Sequence, residues 1–178
     1  MLEEHIYLDM PPHTDTNSDC STSTDHVEQY HIREMTITDL PLVVPIDQAT
    51  WGDHSWSIDD FLSVITDSFH SCWILECLEH DYPIVGYGFQ RSSNGVSHIT
   101  NLCLHPNHRG RGLGEYLLRH MINHARYLHI PKVELQVSTC NIRAYTLYVK
   151  HGFTVCYLLE HYYSDGDDAY QMELFIAN

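Results

Sequence analysis

The sequence predicts an α+β domain, a mixed central sheet of about seven strands with helices packed on it. Three observations lead there. Apolar, β-rich stretches separated by polar turn clusters follow one another between residues 72 and 104, as consecutive hairpins do. Leu113, Leu117, Leu118, Met121, Ile122, Ala125 and Leu128 hold the 3, 4, 7 spacing of one buried helix face, and that pattern starts at a glycine turn. The element order that results, β-α-α-β-β-β-α-β-α-β-β, mixes hairpins with strand–helix–strand units.

Each element has a local reason. Tyr30 to Met35 is a short opening strand. Thr38-Asp39 caps a helix to about Ala49, and Ser57-Ile58-Asp59-Asp60 caps a second one that carries Phe61, Leu62, Ile65 and Phe69. Residues 72–79 and 83–91 are strands joined by the turn Glu79-His80-Asp81-Tyr82. Ser92-Ser93-Asn94-Gly95 then turns the chain into a strand from about Val96 to Leu104. After the long helix, Pro131 punctuates, and Val133, Leu135 and Val137 alternate with Glu134, Gln136 and Ser138 as a strand requires. A short helix from Ile142 to Lys150 ends at Gly152, followed by strands near 153–160 and 169–176.

The chain has 178 residues, enough for one domain plus a tail, and 43% hydrophobic content supplies a core. Residues 1–29 read as an acidic, polar, flexible tail with seven acids and no Lys or Arg; 30–178 is the folded domain. A net charge of −15 argues against nucleic-acid or anionic-membrane partners. No apolar run is long enough to span a membrane, and the N-terminus lacks a signal-peptide pattern.

Six cysteines without a C-x-x-C pair, four of them (Cys72, Cys77, Cys103, Cys156) in apolar stretches, read as buried thiols of a cytoplasmic protein. His120 and His124 are four apart, but His-Met-Ile-Asn-His lacks the Glu of a zinc protease, so they are expected as exposed helix residues and no metal is expected. Seven of the nine Lys and Arg fall between residues 101 and 150 beside only Glu115 and Glu134, a local cationic block that suits a polyanionic ligand.

That block contains Arg109-Gly110-Arg111-Gly112-Leu113-Gly114, a glycine turn between a strand and an amphipathic helix. Glycine permits positive φ and close backbone approach, and first-turn N–H groups point out at the positive end of the helix dipole. A pyrophosphate fits such a site, with Arg109 and Arg111 adding charge. No Lys-Ser/Thr follows the last glycine, which excludes a Walker loop, and Gly-x-Gly-x-x-Gly is absent.

Arg109, Gly112 and Gly114 meet the Arg/Gln-x-x-Gly-x-Gly/Ala form of the acetyl-CoA loop, and on this the sequence resembles the GNAT acetyltransferases. Asn141-Ile142-Arg143-Ala144-Tyr145-Thr146-Leu147-Tyr148, then Gly152-Phe153, is similar to the family's Asn-x-x-Ala-x-x-Leu-Tyr…Gly-Phe segment. His161-Tyr162-Tyr163, then Asp168-Ala169 and Met172, is similar to the ending of the N-terminal acetyltransferases, with the ribosomal-protein-alanine (RimI) type as the nearest branch; Trp56-Ser57 also fits it. The resemblance spans roughly residues 30–176 and implies the GNAT fold with helices on both faces of the sheet.

It further implies that backbone groups of Leu102, Cys103 and Leu104 meet the acetyl and pantetheine portions of acetyl-CoA. Main-chain N–H groups of Gly110, Arg111, Gly112, Leu113, Gly114 and Glu115 would cradle the pyrophosphate. Asn141 would contact the pantetheine arm, and Tyr148 would protonate the departing thiolate. Relatives usually carry a Glu or His base where this chain has Gln136, and a carboxamide takes no proton at neutral pH. Glu134, or His98, is left to act through water. An α-amino group, with a pKa of about 7.7–8.0, needs less help than a Lys near 10.4, which favours a protein N-terminus as acceptor.

Tyr162 and Tyr163, with Trp56, are the candidate acceptor-groove residues. Acids such as Asp53, Asp59, Asp60, Asp165, Asp167 and Asp168 could draw in a basic peptide N-terminus. The acceptor implied is a protein N-terminus or peptide, such as that of a ribosomal protein, taken by a monomer or weak dimer. A small-amine (polyamine or aminoglycoside) acetyltransferase and a non-catalytic acetyl-CoA-binding module are the alternatives.

Overall fold

The computed structural model describes residues 30–78 and 84–176. In chain order its strands are β1 (Tyr30–Glu34), β2 (His70–Cys77), β3 (Ile84–Ser93), β4 (Val96–Leu104), β5 (Lys132–Ser138), β6 (Thr154–Leu159) and β7 (Ala169–Phe175). The helices are α1 (Leu40–Trp51), α2 (Ile58–Thr66), α3 (Leu113–Tyr127) and α4 (Ile142–Lys150). One sheet holds all seven strands in the order β1-β2-β3-β4-β5-β7-β6. β4 and β5 are parallel, and every other neighbouring pair is antiparallel.

Alternation along the strands divides the core between the two faces. Leu75, Ile99, Leu102, Leu135 and Val137 pack with Leu117, Leu118 and Met121 of α3 and with Ala144 and Tyr148 of α4. Ile74, Tyr87, Phe89 and Cys103 pack on the opposite face with Val43 and Ile46 of α1 and Phe61 and Val64 of α2. The sheet is therefore covered on both faces. Truncating a fully buried ring such as Phe61 would cost about 3–5 kcal/mol.

The helix starts follow their capping residues. Ser57 Oγ accepts from the Asp60 N–H at 3.2 Å, and the Asp60 carboxylate accepts from the Ser57 N–H at 2.8 Å, closing a capping box. Ahead of α1, the equivalent box joins Thr36 to Asp39 across a single 3-10 turn, so Thr36 is the cap and Asp39 its partner, one turn earlier than expected. Arg33 grips the Asp39 carboxylate with two nitrogens, at 2.8 and 2.9 Å, and reaches Glu76 at 2.7 Å. That guanidinium holds the Asp39 carboxyl down at about 2.

Several expectations shift. The second hairpin's strands are His70–Cys77 and Ile84–Ser93, and the expected turn at Glu79-His80-Asp81-Tyr82 lies outside the described residues. The acidic tail 1–29 lies outside them too. Phe69 falls beyond α2 and is exposed, because the helix stops at Thr66; Phe61 and Val64 carry its buried face, while Leu62 and Ile65 are half-buried. Leu128 caps α3 from outside and is also exposed. Cys72, Cys77 and Cys103 are buried free thiols, but Cys156 is exposed, since β6 is an edge strand whose residues lie largely open to solvent. His120 and His124 are half-buried rather than exposed: both rings pack edge-on against Trp73, at 4.4 and 4.8 Å. Among the described residues no helix is long and apolar enough to cross a membrane.

Candidate active site

The site begins where two strands part. β4 and β5 are in register only at Val96↔Lys132, Ser97↔Val133 and His98↔Glu134. Beyond that point their pairing ends, while β4 remains paired with β3 as far as Leu104. A bulge explains the parting: Gln90 pairs with Ile99 and Phe89 with Asn101, so Thr100 is the extra residue that bends β4. Leu102, Cys103 and Leu104 thus flank a gap with no β5 ladder across it, where a ligand's amide and carbonyl groups can pair. Asn101 lies on the same stretch, fully buried, with no partner for either side-chain atom among the described residues. Sequence reasoning missed it; an Asn leading directly into the apolar Leu102-Cys103-Leu104 was the available signal.

At the end of β4 the glycine turn takes the shape that its residues require. Gly110 and Gly112 sit at φ of 80° and 79°, the left-handed region where a side chain is disfavoured. Gly112 precedes α3, whose first bond runs from the Tyr116 N–H to the Gly112 carbonyl at 3.0 Å. The N–H groups of Leu113, Gly114 and Glu115 therefore lie outside the helix's own ladder. These three residues line a recess of about 120 Å³ together with Arg109, Arg143 and Leu147.

The two arginines of the turn are used differently from each other. Arg109 donates to the Leu104 carbonyl at 3.0 Å and to the Thr50 hydroxyl at 2.9 Å, tying the turn to β4 and to the end of α1. Arg111 is exposed, and with Arg119 and Lys150 it lines a second, 570 Å³ recess alongside α3. Lys150 bonds Glu115 at 2.6 Å.

α4 presents Tyr148. Asn141 caps this helix, its side-chain oxygen accepting from the Ala144 N–H at 3.1 Å. Tyr148 is fully buried, with its ring 5.7 Å from that of Phe153. Its hydroxyl has no hydrogen-bond partner among the described residues. Burial, and then the neighbouring Tyr163, push its pKa well above that of a free phenol, so it holds its proton firmly. Tyr163 is buried and packs edge-on against half-buried Tyr162, at 5.0 Å.

On the sheet face opposite α3, β5 presents Glu134, Gln136 and Ser138. Gln136 is spanned on both sides: its oxygen lies 2.7 Å from His98 Nε2, and its nitrogen donates to the Gln171 oxygen at 2.5 Å. Glu134 forms an ion pair with Lys132, which also stands 3.7 Å from Glu173. Ser138 bonds Asp167 at 3.4 Å. Trp56 is buried, stacked on Phe89 at 5.4 Å, so it sits in the core beneath this face. Its backbone N–H donates to the Asp47 carboxylate at 2.7 Å, and Asp47 also accepts from the Tyr87 hydroxyl. Fully buried, that carboxyl has its pKa raised by desolvation. Of the residues singled out from sequence, those of the turn other than Arg111 share the recess, and Gln136 and His98 touch each other.

Comparison with known proteins agrees with this layout. Residues 32–153 match the Acetyltransferase (GNAT) family. An N-alpha-acetyltransferase of Sulfurisphaera tokodaii is 26% identical over 158 residues, covering 82% of this chain and 92% of its own. The ribosomal-protein-S18-alanine N-acetyltransferase from Escherichia coli superposes with a TM-score of 0.74 at 25% identity, over 84% of this chain and 95% of that one. Ard1 from Thermoplasma volcanium gives 0.76 at 23% identity, over 84% and 99%. The family match covers the parted strands, the glycine turn and Tyr148 together, and the chain belongs to the GNAT acetyltransferases, a family of acyl-transferring enzymes.

Proposed function

We propose that the protein transfers acetyl from acetyl-CoA to the N-terminal α-amino group of a protein, of the ribosomal-protein-alanine kind, in the cytoplasm. The observation that carries this is the buried, unsatisfied hydroxyl of Tyr148 on the helix that follows β5. A buried polar group without a partner costs about 1–3 kcal/mol, and a thiolate leaving from the neighbouring gap would give it one. The N-alpha-acetyltransferase relative and the Escherichia coli enzyme support the choice of acceptor.

The chain's own groups divide the work. The N–H groups of Leu113, Gly114 and Glu115, with Gly110, Arg111 and Gly112, hold the pyrophosphate, and Arg143 adds charge from the other side of the recess. Backbone groups of Leu102, Cys103 and Leu104 line up the pantetheine and acetyl portions, with Asn141 alongside. The amine attacks the thioester carbonyl directly, held in line by the site, and a main-chain N–H near Leu104 meets the developing oxyanion. Sulfur takes the proton of Tyr148 as it leaves, the amine nitrogen gives one up to solvent and the tyrosine regains one, so the net transfer is one proton from nitrogen to sulfur. Tyr162 and Tyr163 border the acceptor.

The test is thiol release from acetyl-CoA with three amines: a hexapeptide beginning Ala-Arg, spermine, and a lysine peptide with a blocked N-terminus. Release with the free N-terminal peptide alone is expected. Release with spermine and not the peptide would reassign the enzyme to small amines, and tight acetyl-CoA binding without any release would make it a binding module.

A further inference from the structure

Asn101 carries a carboxamide whose oxygen and nitrogen are both buried, and neither has a hydrogen-bond partner among the described residues. An amide shut away from water with both ends unbonded is a standing cost to the fold, one that stability alone would not select. We propose, on the function proposed above, that Asn101 reads the main chain of the acceptor. Its oxygen accepts from the attacking α-amine, and its nitrogen donates to the carbonyl of the acceptor's first residue.

The bulge in β4 aims this side chain. Ile99 and Leu102, three apart, both belong to the core beneath α3, because Thr100 is the extra residue between them. The Thr100 hydroxyl donates to the Phe89 carbonyl at 3.3 Å and so pins the bulge. Unbroken alternation from Ile99 would send Asn101 into the apolar α3 side. With the bulge, Asn101 stands directly opposite Phe89, and opposed residues share a face. Phe89 belongs to the cluster on the α1 and α2 side, the face on which β5 presents Gln136. Asn101 is three residues past the last β4–β5 pair and Gln136 two past it, so their carboxamides stand on one face at the two edges of the gap. They differ in how they are used: Gln136 has both ends bonded and Asn101 has neither. Trp56, stacked on Phe89 at 5.4 Å, makes the neighbourhood apolar, and Asn101 itself is fully shielded from bulk water.

A primary carboxamide offers an acceptor and a donor side by side. The α-amine and the carbonyl of a first residue are likewise side by side, joined through one carbon. One amine N–H bonded to the Asn101 oxygen leaves the nitrogen lone pair for the thioester carbonyl, and the second bond stops the amine from turning away. A carboxamide takes no proton, so Asn101 orients the amine and does not deprotonate it. A lysine side chain or a polyamine has a methylene where that carbonyl stands. With such an amine the Asn101 nitrogen stays dry and unbonded, which selects against it.

The experiment uses the full chain, with the Ala-Arg hexapeptide and spermine as paired amines. Asn101→Leu keeps the shape of the side chain and removes both polar ends. It should lower kcat/KM for the hexapeptide about 100-fold and leave any spermine turnover and the acetyl-CoA Kd within about twofold. Its urea midpoint should rise, since an unsatisfied amide has gone. A second readout needs no variant: in nitrogen-15 NMR of the wild type loaded with CoA, the Asn101 side-chain NH2 signals should move with the hexapeptide and stay in place with spermine. Hexapeptide turnover by Asn101→Leu within about twofold of wild type, or NH2 signals that ignore the peptide, overturns the assignment. A lowered urea midpoint with equal losses for both amines overturns it too, and makes Asn101 a structural residue bonded to internal water. A wild type that uses spermine alone, or no amine, overturns the function itself and this inference with it.

Discussion

At the scale of single residues, the chemistry rests on groups that stability alone would not choose. The Tyr148 hydroxyl is buried with no hydrogen-bond partner among the described residues, and its raised pKa keeps it protonated, so it stands as a donor. Tyr148→Phe is expected to lower kcat about 100-fold with unchanged acetyl-CoA affinity, while raising stability by about 1 kcal/mol because an unsatisfied group is removed. Turnover, cofactor titration and urea unfolding check the three parts separately; equal losses of binding and turnover would make the tyrosine structural. Tyr148 and Gln136 were legible in the sequence because their neighbours form a spaced motif. Asp47 was not. Its signal was an acid one residue after Ile46 on the buried side of α1, and its partners Tyr87 and Trp56 are distant in sequence, so no local pattern reveals them.

Elements were legible to the extent that local chemistry sets them. α3 and α4 follow from spacing and caps, and α4 keeps the bounds Ile142–Lys150 expected of it. The exposure of Phe69 and Cys156 was not legible, because it depends on where a helix stops and on which strand ends at the sheet's edge. The turn before α3 carries a prediction at this scale. Gly112 has a positive φ but open space around a would-be Cβ, so Gly112→Ala meets backbone strain and no clash. It should cost about 1–2 kcal/mol in the left-handed conformation and, by shifting the N–H groups of the first turn, weaken acetyl-CoA binding about tenfold. Calorimetric titration beside a melting curve separates the two effects. An unchanged affinity would remove these N–H groups from the pyrophosphate site.

For the whole molecule, the order of elements was readable, whereas the insertion of β7 between β5 and β6 was not, since strand order is set by long-range packing. Stability against pH is also a property of the whole. His120 and His124 both have pKa values lowered by burial, so the unfolded chain binds protons more readily than the folded one. Their contribution is complete above the ordinary value of 6.5 and is lost as pH falls below it. Asp39, held at about 2 by Arg33 against an ordinary 3.8, adds a second loss, worth about 2 kcal/mol, as pH falls through that interval. Urea midpoints should therefore fall in two stages on acidification. Burial lowers His70 in the same way, so replacing His120 and His124 with Gln should shrink the first stage and leave the second; a double variant with the first stage undiminished would place that stage elsewhere.

The short register between β4 and β5 bears on cooperativity. Among the described residues, three pairs, from Val96↔Lys132 to His98↔Glu134, are the only β-ladder joining the half-sheet β1–β4 to the half-sheet β5–β7. Amide exchange should then report two semi-independent units in the free protein, β3 and β4 opening separately from β5 and β7. A ligand that pairs with both edges of the gap would fuse them into a single unit, so protection would rise on strands that never touch it.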